Sequence, residues 1–221
     1  MYGEDPAMSK IKKQSLVDQL YSQLREEIIT LRYPLGSRLN VNEIQDDYGV
    51  SSTPLREALN RLQQEGLVVA ENNVGVSILS LDAHDVDEIE ELALTLQGAA
   101  VKLSLQRGDR AQMQQHIDEQ LARYTAARSP RERVRAVFEL IGTFYRYCGN
   151  QRLDGSMVAV QGQVLLLRQI YMLCPGSDQD LDLLTRVSEG LRAGDEGAIL
   201  AALTAYSERS RKAIKRWLDK Q

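Results

Sequence analysis

Residues 51–62 have the sequence SSTPLREALNRL, and this stretch decides the fold of the N-terminal part of the chain. Hydroxyl residues followed by a proline are typical of a helix N-terminus, because Ser and Thr cap free amides and Pro suits a turn that needs no amide donor. Leu55, Leu59 and Leu62 follow at spacings of four and three, which predicts one buried face. The stretch is therefore predicted to be a short amphipathic helix, closed by Gly66.

Two further helices are predicted before this one. Ser15–Leu31 carries leucine and isoleucine at spacings of three and four, and Tyr33–Ser37 breaks the pattern with Pro and Gly. A shorter helix is predicted at about Val41–Tyr48, with Gly49 as its C-terminal stop.

Two short strands are predicted after residues 51–62. Leu67–Ala70 and Val74–Ile78 are rich in β-branched residues, and Glu71–Asn73 between them is a turn. The order is thus a helix, a helix–turn–helix and a hairpin. A helix–turn–helix can place its second helix in the major groove of DNA, and the hairpin would be the wing.

The chain after Leu79 shows helical periodicity almost to its end. Turn residues divide it into six predicted helices with short connections, which favours an antiparallel bundle. The predicted spans are 82–106, 109–127, 130–148, 151–173, 178–193 and 195–218. The expected fold is therefore mainly α, with a flexible arm at 1–14, a winged helix-turn-helix at 15–79 and an all-helical domain at 80–221.

Composition indicates a cytoplasmic protein. The sequence has no apolar run of membrane-spanning length, and its first residues lack the apolar core of a signal peptide. Its two cysteines, Cys148 and Cys174, are predicted to be free buried thiols in a reducing compartment.

Net charge argues against strong binding to a polyanion. The chain has a formal net charge of −4, and residues 1–79 carry eight Lys and Arg against eleven Asp and Glu. Because phosphate neutralisation supplies most non-specific DNA affinity, binding would depend on where the few basic residues lie.

Residues 15–79 resemble the winged helix of the GntR family. The resemblance rests on LREEII at 24–29, PLGSRL at 34–39, YGVSSTPLREALNRL at 48–62, EGLV at 65–68 and the wing residue Gly75. The C-terminal half resembles, less specifically, the FadR-type FCD domain, through GNQRL at 149–153 and LRAGD at 191–195.

This resemblance implies a cytoplasmic, homodimeric repressor or activator, with repression as the expected role, that lies on the bacterial nucleoid when DNA-bound. It would bind palindromic operator DNA, and a small metabolite in the helical domain would alter its affinity. The residues expected to contact DNA are Arg38, Ser51, Ser52, Thr53, Arg56, Asn60, Asn73 and Gly75.

Two of these expectations have alternatives. Arg56 can pair with guanine in the major groove, or it can form an ordinary salt bridge to Glu57 or another carboxylate. The family commonly has basic residues where this chain has Ser52 and Val74. Three N-terminal lysines could compensate along the DNA backbone, or they could belong to a solubilising tail; these are Lys10, Lys12 and Lys13.

The metal site of many FCD domains does not carry over to this chain. The resemblance places its Asp and His ligands at Val137, Ile141, Leu184 and Tyr206, none of which is a plausible ligand, so no metal cofactor is expected. The only histidines, His84 and His116, are predicted to be ordinary surface residues.

A metal-free and rather apolar effector pocket is predicted instead. Its residues would be Ala93, Gln97, Val137, Ile141, Gln161, Arg168, Leu184 and Tyr206. The polar members are explained as easily by core packing or surface exposure, and the apolar ones could fill the cavity and leave only a dimerisation domain.

Two other classes of function compete with regulation. An enzyme is disfavoured, because no phosphate-binding glycine loop and no nucleophile–base arrangement is recognisable. The second is a dimeric protein-interaction module on a degenerate winged helix, which the acidic N-terminal half keeps open.

Overall fold

A computed structural model describes residues 15–71, 75–177 and 180–220. Its N-terminal part has three helices and a hairpin: α1 Leu16–Ile29, α2 Val41–Tyr48, α3 Ser52–Gln64, β1 Val68–Glu71 and β2 Gly75–Ile78. Its C-terminal part has six helices: α4 Ala83–Arg107, α5 Arg110–Ala126, α6 Pro130–Tyr147, α7 Gln151–Met172, α8 Leu181–Ala193 and α9 Glu196–Leu218. The predicted mainly α fold with a two-stranded wing is confirmed.

Local capping sets the ends of the first helices. Ser15 and Asp18 form a capping box at the start of α1, in which each side chain bonds to the other residue's backbone amide. Gly49 ends α2 in the left-handed conformation, with φ at 60°. Helix α1 ends two residues earlier than predicted, because Leu31 also has a positive φ of 61° and cannot continue it.

The segment before α2 hydrogen-bonds to the wing, in addition to the two predicted strands. β1 and β2 pair antiparallel, with Val68 opposite Ile78. On the other edge of β2, the amide of Leu39 donates to the carbonyl of Val76 at 2.8 Å, and the amide of Ile78 donates to the carbonyl of Ser37 at 2.8 Å. The segment before α2 is thereby fixed alongside the hairpin.

Helix α4 forms the centre of the helical domain and packs against α6, α7 and α9. α5 packs against α6 and α8, and α8 packs against α9. Most of these helices begin where the sequence predicted, because Asp82, Asp109, Ser129, Asn150 and Asp195 each accept a first-turn amide. α8 begins at Leu181 rather than at 178, a position outside the described residues.

The two parts of the chain touch through α1, the end of α3 and α7. The Gln163 side-chain amide on α7 donates to the carbonyl of Gly66 at 3.4 Å. Gly162 lies so close to Leu67 that a Cβ added there would stand 2.8 Å from the leucine side chain. The predicted domain boundary at residue 79 falls in the connector between β2 and α4.

Two predictions from composition can be compared with these elements. Among the described residues, no helix is both long and apolar enough to cross a bilayer. Cys148 and Cys174 are both free and buried, as predicted. Burial also raises the pKa of the Cys174 thiol, which leaves less of the reactive thiolate.

Candidate nucleic-acid interface

The N-terminus of α3 is exposed, and its hydroxyls and amides are accessible. Ser51 is its N-cap, yet the Ser51 side chain makes no capping hydrogen bond. Ser51, Ser52 and Thr53 are all exposed, so their hydroxyls and the first-turn amides face outward. A helix N-terminus of this kind suits an anion, because free amide donors and the positive end of the helix dipole coincide.

The rest of α3 is divided cleanly between a buried and an exposed face. Leu55, Ala58, Leu59 and Leu62 are buried and hold the helix against α1 and β1. Arg56 and Asn60 are one helical turn apart on the exposed face. The apolar stripe therefore fixes which side chains of α3 point away from the protein.

Five arginines lie between residues 15 and 79, and carboxylates bind three of them. Arg25 pairs with Glu65 at 2.7 Å, Arg32 pairs with Glu27 at 2.5 Å and Arg61 pairs with Asp18 at 2.7 Å. Arg61 also lies over the Tyr21 ring, 3.9 Å from its centroid.

The other two arginines, Arg38 and Arg56, have no ion pair within the described part of the chain. Both are exposed. The alternative interpretation of Arg56, a salt bridge to Glu57 or another carboxylate, is therefore not realised among the described residues. The two arginines without a described ion pair are thus the two arginines expected to contact DNA.

Arg38 lies across the wing from Gly75. A Cβ added to Gly75 would be 3.1 Å from Arg38 Nη2, and Gly75 has a φ of 116°, which other residues rarely adopt. Glycine at this position therefore lets the guanidinium rest against the wing backbone. Arg38 also bridges to Ser77 through its backbone. Asn73, like Val74 and the lysines at 10, 12 and 13, lies outside the described residues.

Sequence reasoning missed a polar cluster at the other end of α3. The Glu65 carboxylate accepts hydrogen bonds from the Tyr21 hydroxyl and from Arg25 Nε, both on α1. Its side chain faces Gly162 on α7. The two donors lie 40 to 44 positions before Glu65, so no local pattern could have indicated the contact.

The helical domain contains a buried ion pair between Glu90 on α4 and Arg168 on α7. Their side chains are only 2% and 4% exposed. Arg168 donates to both carboxylate oxygens, one of them from Nη2 at 2.8 Å. The hydroxyls of Ser207 and Ser210 donate to the same carboxylate, at 2.8 and 3.2 Å. Arg168 is thus already occupied by a partner within the protein.

Four of the eight predicted pocket residues line one small cavity: Gln97, Val137, Ile141 and Arg168. The cavity volume is about 30 Å³, which leaves room for about two water molecules. The hydroxyl of Tyr145, which also lines the cavity, is buried without a hydrogen-bond partner among the described residues.

The other four predicted pocket residues do not line this cavity. Ala93, Leu184 and Tyr206 are buried in the core, whereas Gln161 is half-buried. Tyr206 packs against the Arg168 guanidinium, which lies 5.0 Å from the ring centroid, and burial raises the pKa of its hydroxyl. The pocket assignment stays a prediction.

Val137, Ile141, Leu184 and Tyr206, where the FCD resemblance places metal ligands, are all buried side chains without metal-binding chemistry. The described ranges contain no group of three or more His, Cys, Asp or Glu able to hold a metal ion. The two histidines contact different neighbours: His84 lies 3.3 Å from Glu88, and His116 bonds to Tyr147 at 3.2 Å.

Known proteins share both the N-terminal domain and the overall fold. The family model for bacterial regulatory proteins of the gntR family matches residues 16–78. The HTH-type transcriptional regulator YdhC of Bacillus subtilis is 37% identical over 95 residues, which are 43% of this chain and 42% of YdhC. The match therefore spans less than half of the length of that relative.

Two further likenesses extend over nearly the whole chain. The probable D-xylose utilization operon transcriptional repressor of Paenarthrobacter nicotinovorans is 25% identical over 208 residues, covering 91% of this chain and 90% of that protein. The structure of Escherichia coli McbR/YncC superposes with a TM-score of 0.73 at 16% identity, covering 92% and 99% of the two chains. At that identity the structural likeness concerns the fold alone.

The matched family and the named relatives are regulators, in agreement with the prediction that the chain is not an enzyme. The matched segment contains α1 to β2, and therefore the exposed N-terminus of α3 and both arginines without a described ion pair. The family model for gntR-type bacterial regulatory proteins thus matches the N-terminal domain of this chain, which contains the helix–turn–helix and the wing.

Proposed function

We propose that this protein is a homodimeric, operator-binding transcriptional repressor whose affinity for DNA changes when a small molecule binds the helical domain. The observation that carries the proposal is the distribution of arginine partners. Carboxylates neutralise Arg25, Arg32 and Arg61, whereas Arg38 and Arg56 have no ion pair among the described residues and lie on the same domain as the open N-terminus of α3.

The acidic net charge argues against DNA binding, but the distribution of ion pairs matters more than the net charge. Affinity for DNA depends on cations that can reach phosphates and base edges, and cations held in ion pairs contribute little. Arg56 projects from the first turns of α3, where it can reach guanine O6 and N7 in a major groove. Arg38 and the wing would contact the neighbouring backbone.

The dimeric state, the repressor role and the location in the cell are proposed on separate grounds. A dimer is proposed because one short recognition helix reads few base pairs, and a two-fold pair reads a palindrome. Repression is proposed by analogy with the relative named as a repressor. The cytoplasm, and the nucleoid when the protein is DNA-bound, is the proposed location because operator DNA lies there.

The proposal is tested by selecting bound duplexes from a random DNA pool with the wild-type chain and with Arg56→Ala. Arg32→Ala is the matched control, because it removes the same charge from the same domain but from an arginine paired with Glu27. We expect an enriched inverted repeat with the wild type and with the control, and none with Arg56→Ala.

The opposite result would favour the second candidate function. If the wild type enriches no sequence even at low salt but still dimerises in sedimentation, a protein-interaction module on a degenerate winged helix becomes the better interpretation. The carboxylates of α2 on the same domain, Glu43, Asp46 and Asp47, are the observation that favours it.

Small-molecule control is tested separately by measuring the melting temperature of the full chain across a metabolite panel. A ligand that binds only the folded protein must raise the melting temperature. A panel without any shift would contradict this part and favour a helical domain that serves dimerisation alone.

A further inference from the structure

The corner between α5 and α6 is strongly basic in an otherwise acidic chain. Residues 123–135 contain five arginines and a single carboxylate, Glu132, while the whole chain has a net charge of −4. Neither the DNA-binding surface nor the buried Glu90–Arg168 pair uses these arginines.

Three of the five arginines line one groove, which we name the arginine groove: Arg123, Arg128 and Arg135, with Gln120, Ala127 and Glu132. The groove has a volume of about 620 Å³, within the usual range of roughly 300–1,000 Å³ for small-molecule sites. None of its three arginines has an ion pair with a described carboxylate.

The one carboxylate of the groove is already occupied. Glu132 accepts a hydrogen bond from the Arg128 backbone amide at 2.6 Å, and its own amide bonds to the Ser129 hydroxyl at 3.2 Å. Both contacts belong to the cap of α6, which begins here. The groove is therefore a positively charged concave surface, and its guanidinium donors have no described carboxylate partner.

We infer that the arginine groove binds a small polyanion of the phosphate class. A guanidinium presents paired, coplanar N–H donors that match phosphate oxygens, and several such groups around one concavity can hold a multivalent anion. One exposed ion pair contributes little, so the inference depends on the three guanidiniums acting together.

The core cavity offers a poorer site for the same ligand. Its volume is about 30 Å³, and the one cation among its described lining residues, Arg168, already binds both oxygens of Glu90. A charged ligand would have to displace that buried carboxylate. The arginine groove has the free charge and the volume that the cavity lacks.

The groove is also connected to the DNA-binding domain. Arg131 lies four residues before Arg135, on the same face of α6, and its Nε bonds to Glu26 of α1 at 2.8 Å. α1 in turn packs against α3. A polyanion bound beside Arg135 would change the electrostatic environment of the neighbouring Arg131–Glu26 pair. This inference therefore deepens the proposed function, on which it rests: it names the class and the site of the modulating molecule.

The test uses inorganic pyrophosphate as the probe and the full chain, by calorimetric titration at constant ionic strength. One variant replaces Arg123, Arg128 and Arg135 by Gln. The matched control replaces three other exposed arginines without described ion pairs, Arg110, Arg152 and Arg186, so that both variants lose the same charge. Circular dichroism establishes that both are folded.

We expect saturable binding to the wild type and the control, and a loss of at least about tenfold in affinity in the groove variant. No saturable binding to the wild type, or an equal loss in both variants, would overturn the inference. It would also be overturned if pyrophosphate fails to bind while the groove variant lowers the salt dependence of operator binding, since the anion would then be the DNA backbone.

Pyrophosphate binding can succeed or fail independently of operator selection, so the two proposals are tested separately. Arg56→Ala is expected to lose operator selection and to keep pyrophosphate binding. If the wild type binds pyrophosphate but selects no operator, the anion site stands and the regulatory function fails.

Discussion

Arg56 and Arg168 are the same residue type in opposite environments, one in each half of the molecule. Arg56 is exposed on α3 without a described ion pair, whereas Arg168 is 4% exposed and bound to Glu90. An exposed guanidinium keeps its donors available to a partner outside the protein. A buried one must be paired inside it, because an unpaired buried charge is very costly. Burial thus requires a partner for Arg168 inside the protein, whereas exposure leaves Arg56 accessible to a partner outside it.

The largest effect is expected from breaking the buried pair. Glu90→Ala leaves the Arg168 guanidinium uncompensated and should lower the free energy of unfolding by roughly 3–5 kcal/mol, as measured by urea denaturation. The double variant Glu90→Leu with Arg168→Met should recover most of that loss, since an apolar pair of similar size replaces the ion pair. A loss below about 1 kcal/mol, as at surface pairs, would contradict this expectation.

A smaller effect, on DNA affinity alone, is expected at Arg56. Arg56→Ala should cost about 1–3 kcal/mol of operator binding for each half-site, while the free energy of unfolding changes by less than about 0.5 kcal/mol. Fluorescence anisotropy on the selected operator gives the first quantity and urea denaturation gives the second. A variant that loses stability but keeps operator affinity would reverse the assignment of roles.

Arg38 should behave as a contact to the DNA backbone rather than to bases. Arg38→Ala is expected to weaken specific and non-specific duplexes alike and to reduce the slope of log K against log salt by about 1 for each phosphate that is no longer neutralised. Titrations at several salt concentrations measure this slope. A weakening confined to one operator position would instead mean that Arg38 reads a base.

The smallest effect is expected from the N-terminal lysines, which lie outside the described residues. Deleting residues 1–13 should flatten the salt dependence of operator affinity if Lys10, Lys12 and Lys13 follow the DNA backbone. An unchanged slope would assign them to a solubilising tail. Since Arg38 and Arg56 are retained in this truncation, sequence preference should persist in either case.

Helix boundaries could be predicted because their signals are local. A hydroxyl or carboxylate residue at the N-cap, a glycine at the C-terminus and apolar residues three or four apart define each helix within a few positions. Asp109 and Gly194 are examples, capping the start of α5 and the end of α8. The residues expected to contact DNA could be named from the sequence because most of them belong to one contiguous motif, and their contacts stay a prediction.

The partner of each charged residue could not be predicted, because those partners are distant in sequence. Arg25 and Glu65 are 40 residues apart, and Glu90 and Arg168 are 78 apart. Sequence reasoning left Arg168 as either a polar anchor of the pocket or a core residue, and no local pattern indicated that its guanidinium binds Glu90. The volume of the core cavity could not be predicted either, because the fit of side chains around a space depends on the packing of several helices.

The winged helix, the six-helix domain and the helix face that presents Arg56 follow from local sequence, since periodicity and capping act over neighbouring residues. Which arginines are neutralised by described carboxylates depends on the folded arrangement, because ion pairs form wherever folding brings opposite charges together. In this protein, that choice leaves Arg38 and Arg56 available on the winged helix and three arginines available along one groove of the helical domain.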